Sequence, residues 1–181
     1  MTRERWTLLP FGLAVLGILI SGMSAAGRDT EKQLLRQIQI EQNPVKKAKD
    51  EIKLGSLKLA QIKDAYSHGQ VDAGQKLLPS FLDTMKTSWK TLQDSGRNAA
   101  KQPGGFRELE IALREDVRTL HDLGRTVSYY DRQPLENAAQ ELETIHGEVI
   151  HALFPGAPPR TLKGAAPPPA GTSPENPPPP R

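Results

Sequence analysis

Apolar residues in this chain return every seven positions in three separate stretches, and that spacing decides what the chain can fold into. Val45, Ile52, Leu59 and Tyr66 form the first row, Phe106, Leu113, Leu120 and Val127 the second, and Leu135, Leu142 and Val149 the third. Seven residues are close to two helical turns, so each row marks one face of an α-helix. Ala48, Gly55 and Ile62 accompany the first row, and Ala138, Ile145 and Ala152 the third. The alternating β-branched runs that announce strands do not occur after Gly27. The spacing predicts an all-α fold, an antiparallel bundle of four to five helices packed knobs-into-holes. Burying one Leu or Ile contributes about 1.5–3 kcal/mol, so the rows need no purpose beyond the core.

Local signals place the helices. The first is expected over residues 30–42, opened by the capping pair Thr30 and Gln33. Asn43-Pro44 reads as a cap followed by proline at the first helical position, starting a second helix that runs to residue 67. Leu54 and Leu57 lie off its stripe, so this helix should be covered on two sides and be the central element. A third helix is expected over residues 71–95, with Pro79 kinking or dividing it. The fourth should cover 106–128, and the fifth should open at Pro134 and end near Phe154. Between the second and third, Tyr66, Gly69 and Gly74 resemble the turn of a tetratricopeptide hairpin. The resemblance covers about ten residues and occurs once. Helical solenoids need about three stacked repeats, so the turn is read as an ordinary αα-hairpin.

The N-terminus reads as an address. A short basic start with Arg3 and Arg5 precedes Trp6–Met23, which is uncharged and mostly apolar. Ser24-Ala25-Ala26 then supplies small residues ahead of a cut between Ala26 and Gly27. This is the layout of a secretory signal peptide over residues 1–26. The alternative is an uncleaved membrane anchor, near the lower length limit for a spanning helix. Glu4 separates the two arginines, so the start is not a twin-arginine signal. Either way the remainder is expected outside the cytoplasm, periplasmic or secreted. The bundle domain should occupy residues 27–154.

The last segment, residues 155–181, holds 11 of the 16 prolines, including runs at 167–169 and 177–180. Proline lacks the amide that helices and sheets require, so a disordered tail of polyproline II character is expected. Such a tail suits a spacer or a ligand for an aromatic-lined groove. Formal charge over the chain is +3, but Arg3, Glu4 and Arg5 at one end and Arg160, Lys163, Glu175 and Arg181 at the other account for all of it. The bundle itself is neutral, which argues against nucleic acid as a partner. With no cysteine, the chain has no disulfide, thiolate metal site, cysteine nucleophile or lipoprotein anchor.

Chemistry is sparse. His146 and His151 are five apart, about 140° around a helix, rather than the four that places two ligands on one face. His68 and His121 are scattered, so no metal or other cofactor is expected. Asp116 falls where the fourth helix should be apolar. A carboxylate there could serve as an acid or base, but a place at the bundle rim or a pairing with an arginine such as Arg114 or Arg118 is the expectation. The candidate binding site is an anion site: Gly104-Gly105 precedes the fourth helix, whose first amides lack partners, with Arg97, Lys101 and Arg107 nearby. Glu108 and Glu110 compete for the same helix end. Trp89 should fill the core, and at least one of Tyr129 and Tyr130 should be packed. The sum predicts a non-enzymatic interaction or scaffold protein of the cell envelope, meeting an unknown protein through the bundle face or the tail. The alternative is a ligand- or metal-responsive envelope protein.

Overall fold

The computed structural model of the chain describes residues 22–156, with side chains from residue 29 onward. The expected signal segment through residue 21 and the tail from residue 157 lie outside the described residues. The described residues form five helices: α1 Gly22–Ile40, α2 Pro44–Ser67, α3 Val71–Asp94, α4 Phe106–Thr126 and α5 Tyr129–Leu153. Among the described residues there is no strand, and the fold is all-helical.

Short turns make α1/α2, α2/α3 and α4/α5 consecutive hairpins, and α2 packs on α1, α3 and α4. The central place expected for α2 follows from Leu54, buried off the main stripe. Ile62, Phe81, Leu92, Leu113, Leu135 and Val149 are fully enclosed and bring α2 to α5 into one core. Lys58 reaches across the α2/α3 hairpin, its Nζ donating to Ser80 Oγ at 2.7 Å and Thr84 Oγ1 at 2.8 Å. At the turn of that hairpin a Cβ on Gly74 would stand 2.6 Å from the Tyr66 ring, so only glycine lets the phenol lie across α3. Gly69, at φ 71°, supplies the left-handed residue that turns the chain.

The cap read at Asn43 is real. Its Oδ1 accepts from the Val45 amide at 3.0 Å and the Lys46 amide at 3.2 Å, with Pro44 opening α2. Asn43→Ala is expected to lower stability by about 1 kcal/mol, seen as an earlier urea midpoint at unchanged slope. No change in midpoint would show that α2 needs no cap.

Two helix starts differ from expectation. α1 begins at Gly22, so Thr30 lies inside it and is not a cap. Nothing between Gly22 and Thr30 forbids helix, and the helix propagates through the supposed start. α5 begins at Tyr129 rather than at Pro134. Ser128 caps it, its Oγ receiving the Asp131 amide at 3.4 Å, and Pro134 is carried inside. α3 continues through Pro79 as one helix, so of the two outcomes expected there the helix is not divided.

α1 differs from the others in kind. Among the described residues it packs on α2 alone. Leu34 and Ile38 are half-buried, whereas Leu35 is 41% and Ile40 79% exposed. The core is a four-helix unit, with α1 laid against its side. Among the described residues no helix is long and apolar enough to cross a membrane.

Candidate functional site

The two inner hairpins place α3 and α5 side by side and parallel. Lys86 on α3 meets Glu141 on α5 at 2.7 Å, and further along Trp89 Nε1 donates to Glu148 Oε2 at 2.7 Å. Beside these bridges the seam leaves two grooves. One groove of about 540 Å³ is lined by Gln75, Leu78, Pro79, Leu82, Pro134, Asn137, Ala138, Gln140, Glu141 and Thr144. A second, of about 870 Å³, shares Thr144 and continues past Trp89, Gln93, Arg97, Phe106, Glu148 and His151 to Ala152. The two meet at Thr144 and make a trough with an apolar floor and a rim of amides, a hydroxyl and paired charges, crossed by the Lys86–Glu141 and Trp89–Glu148 bridges.

The prolines matter to this trough. Pro79 has no amide for the Gln75 carbonyl, and Pro134 none for the Tyr130 carbonyl. Gln75 and Pro79 both line this groove. From Pro134 to Ala152 the trough follows α5 for about 27 Å, the length of about nine residues of extended chain. Trp89 is only 8% exposed and stacks edge-on against Phe106, with ring centroids 6.1 Å apart. The expectation that Trp89 fills the core holds, while its indole N–H is spent on Glu148.

The residues of the expected anion site are placed differently from one another. Gly105 is buried, Gly104 half-buried, and Arg97, Lys101 and Arg107 are exposed. Arg97 belongs to the trough wall. The Gly105 amide donates to Glu108 Oε2 at 2.7 Å, and Glu108 pairs with Lys49. Burial works against the charge of Glu108, yet Lys49 and the Gly105 and Glu108 amides hold its carboxyl below the ordinary range. The helix thus carries its own anion at this end.

Asp116 is not at the rim. It is 6% exposed, and its Oδ2 has no hydrogen-bond partner among the described residues. Burial, with help from Glu115, pushes its pKa from 3.8 up to about 7. Glu51 on α2 is buried too. Its Oε1 accepts from Thr91 Oγ1 at 3.2 Å, and its Oε2 has no partner among the described residues. Burial raises its pKa, and Thr91 and Lys47 pull it back only in part.

Two of the four histidines link elements. His146 Nε2 lies 3.2 Å from Glu110 Oε1, and His121 Nε2 lies 3.4 Å from Glu143 Oε1, both across the α4/α5 hairpin. Among the described residues, no three His, Asp or Glu side chains come together as a metal would require. Tyr129 and Tyr130 correct the expectation that one of them is packed, being 80% and 89% exposed. Their rings meet each other edge to face at 5.9 Å. Comparison with protein-family models, curated proteins and solved structures finds no match to the chain.

Proposed function

We propose that this chain is a non-enzymatic interaction protein of the cell envelope, exported from the cytoplasm, whose α3/α5 trough receives an extended segment of a partner protein. The trough carries this reading. It combines an apolar floor with amide and carbonyl groups along its rim, the pattern that recognises a peptide through both its side chains and its backbone. The sequence-based address at the N-terminus supplies the compartment. The paired histidines lend no support to a metal-responsive reading.

Asn137 and Thr144 are exposed, so an arginine at either place fills the trough without entering the core. Affinity capture from an envelope extract should retain a partner on the full chain and on a form ending at Phe154. Asn137→Arg and Thr144→Arg should each reduce that retention at least about tenfold, equivalent to about 1.4 kcal/mol, with helix content unchanged by circular dichroism. A partner held equally by both arginine variants would remove the trough from the reading. A partner lost with residues 155–181 would move the function to the tail.

A further inference from the structure

The trough changes character along its length. Toward Pro134 its polar lining is mostly neutral amide, from Gln75, Asn137 and Gln140, and the acid there, Glu141, is paired with Lys86. Toward Ala152 the groove runs between Trp89 and Gln93 on α3, with Arg97 just past its end, and Glu148 and His151 on α5. Arg97 is the one arginine or lysine among the lining residues of either groove. Among the described residues its guanidinium makes no hydrogen bond or ion pair, and only its backbone amide is used, donating to Ser95 Oγ at 3.3 Å. The His151 ring is unpartnered in the same sense. Glu148 gives Oε2 to the Trp89 indole and keeps Oε1 free of partners among the described residues. Arg97 and Ala99 belong to the connection between α3 and α4, which borders the groove at this end.

We propose that the trough receives the C-terminus of its partner, whose free carboxylate is held by Arg97 and His151 while its last side chain lies over Trp89 and Ala152. The proposal rests on the reading of the trough as a peptide groove and gives the bound segment an end and a direction. A guanidinium is planar, and its paired N–H groups match the two oxygens of a carboxylate. A neutral imidazole also carries one N–H to donate. Glu148 acts in the opposite sense. Its free Oε1 repels a carboxylate and accepts the backbone N–H of the terminal residue, so the terminal charge is directed away from it and onto Arg97. A chain that stops at the α3–α4 connection needs no exit past it, which favours a terminus over an acidic side chain in mid-segment.

The probe is a library of nonapeptides randomised at the last three positions, made once with free carboxyl termini and once amidated. Each is offered to the immobilised full chain, and retained peptides are counted by mass spectrometry. Free acids should be retained at least about fivefold over amides, the scale of one charge-assisted hydrogen-bonded pair. Arg97→Gln should remove that preference. Lys101→Gln should keep it, since Lys101 is exposed on the same connection but lines neither groove. Asn137→Arg should lower retention of both libraries. Equal retention of acids and amides, still lost in Asn137→Arg, overturns the proposal and leaves the trough standing. A preference that survives Arg97→Gln overturns it as well. Amidated peptides ending in glutamate, retained as well as the free acids, would assign the site to an acidic side chain and likewise overturn it. Retention of neither library, or indifference to Asn137→Arg, removes the peptide groove and the proposal with it.

Discussion

Asp116→Asn is expected to leave stability unchanged near pH 4 and to raise it by up to about 4 kcal/mol near pH 8. The carboxyl is buried and its Oδ2 is without a partner among the described residues, so the folded state holds its proton up to about pH 7, against 3.8 for the ordinary group. A raised carboxyl pKa favours folding most where both states are protonated, below the ordinary value. That contribution is lost as pH rises toward the folded value and stays lost above it. The native chain should therefore weaken between about pH 4 and pH 7. Asparagine copies the shape of the protonated acid and cannot ionise. Urea titrations at several pH values measure the effect, and a variant with the same pH slope as the native chain would show that Asp116 is hydrated or paired in solution. Glu51 shifts in the same direction and should account for the slope that remains.

Gly105→Ala should destabilise the fold by about 2–4 kcal/mol, while Gly104→Ala should change it by less than about 0.5 kcal/mol. Gly105 has φ 89°, which side-chain-bearing residues rarely adopt. A Cβ there would also stand 2.6 Å from Leu92 Cδ2 and 3.4 Å from Val45 Cγ1. Gly104 has no atom within 4 Å of such a Cβ. Thermal or urea unfolding of the two variants separates backbone strain and crowding from a general effect of shortening a glycine pair. Equal losses at both positions would refute the assignment. The same experiment bears on the anion site, because Gly105 is held under Leu92 for packing reasons that involve no ligand.

The helices of the core were legible in the sequence because burial imposes a period. The rows through Ile52, Leu113 and Leu142 mark helices whose buried faces the structure confirms. Asn43-Pro44 was legible because a cap is a local event between neighbouring residues. Thr30 and Gln33 look like the same kind of signal, but a capping pair works only where the preceding chain leaves the helix, and here it continues from Gly22. Pro134 misleads in the opposite way, since Ser128 and Asp131 start α5 before the proline is reached. Asp116 stands at a position the period marks as apolar, and the period was the better guide to its depth than the charge was. The trough carries no local pattern at all. It arises because α3 and α5, which are not consecutive, become parallel neighbours, and only then do Gln75, Asn137 and Thr144 share a wall.

α1 enters at one end of the molecule and α5 finishes at the other, so Gly22 and Leu153 are separated by roughly the 36 Å length of a 24-residue helix such as α2. A chain held by residues before Gly22 and pulled by residues after Leu153 carries tension along the bundle axis. That tension reaches the core through α1, whose far end is joined to α2 by the turn at Asn43. The contacts of α1 with α2 are then loaded together in shear, instead of being opened one after another like a zipper. None of the described side chains of α1 is completely buried, so it is the element that yields first, and the four-helix core behind it is spared the load until α1 has slipped.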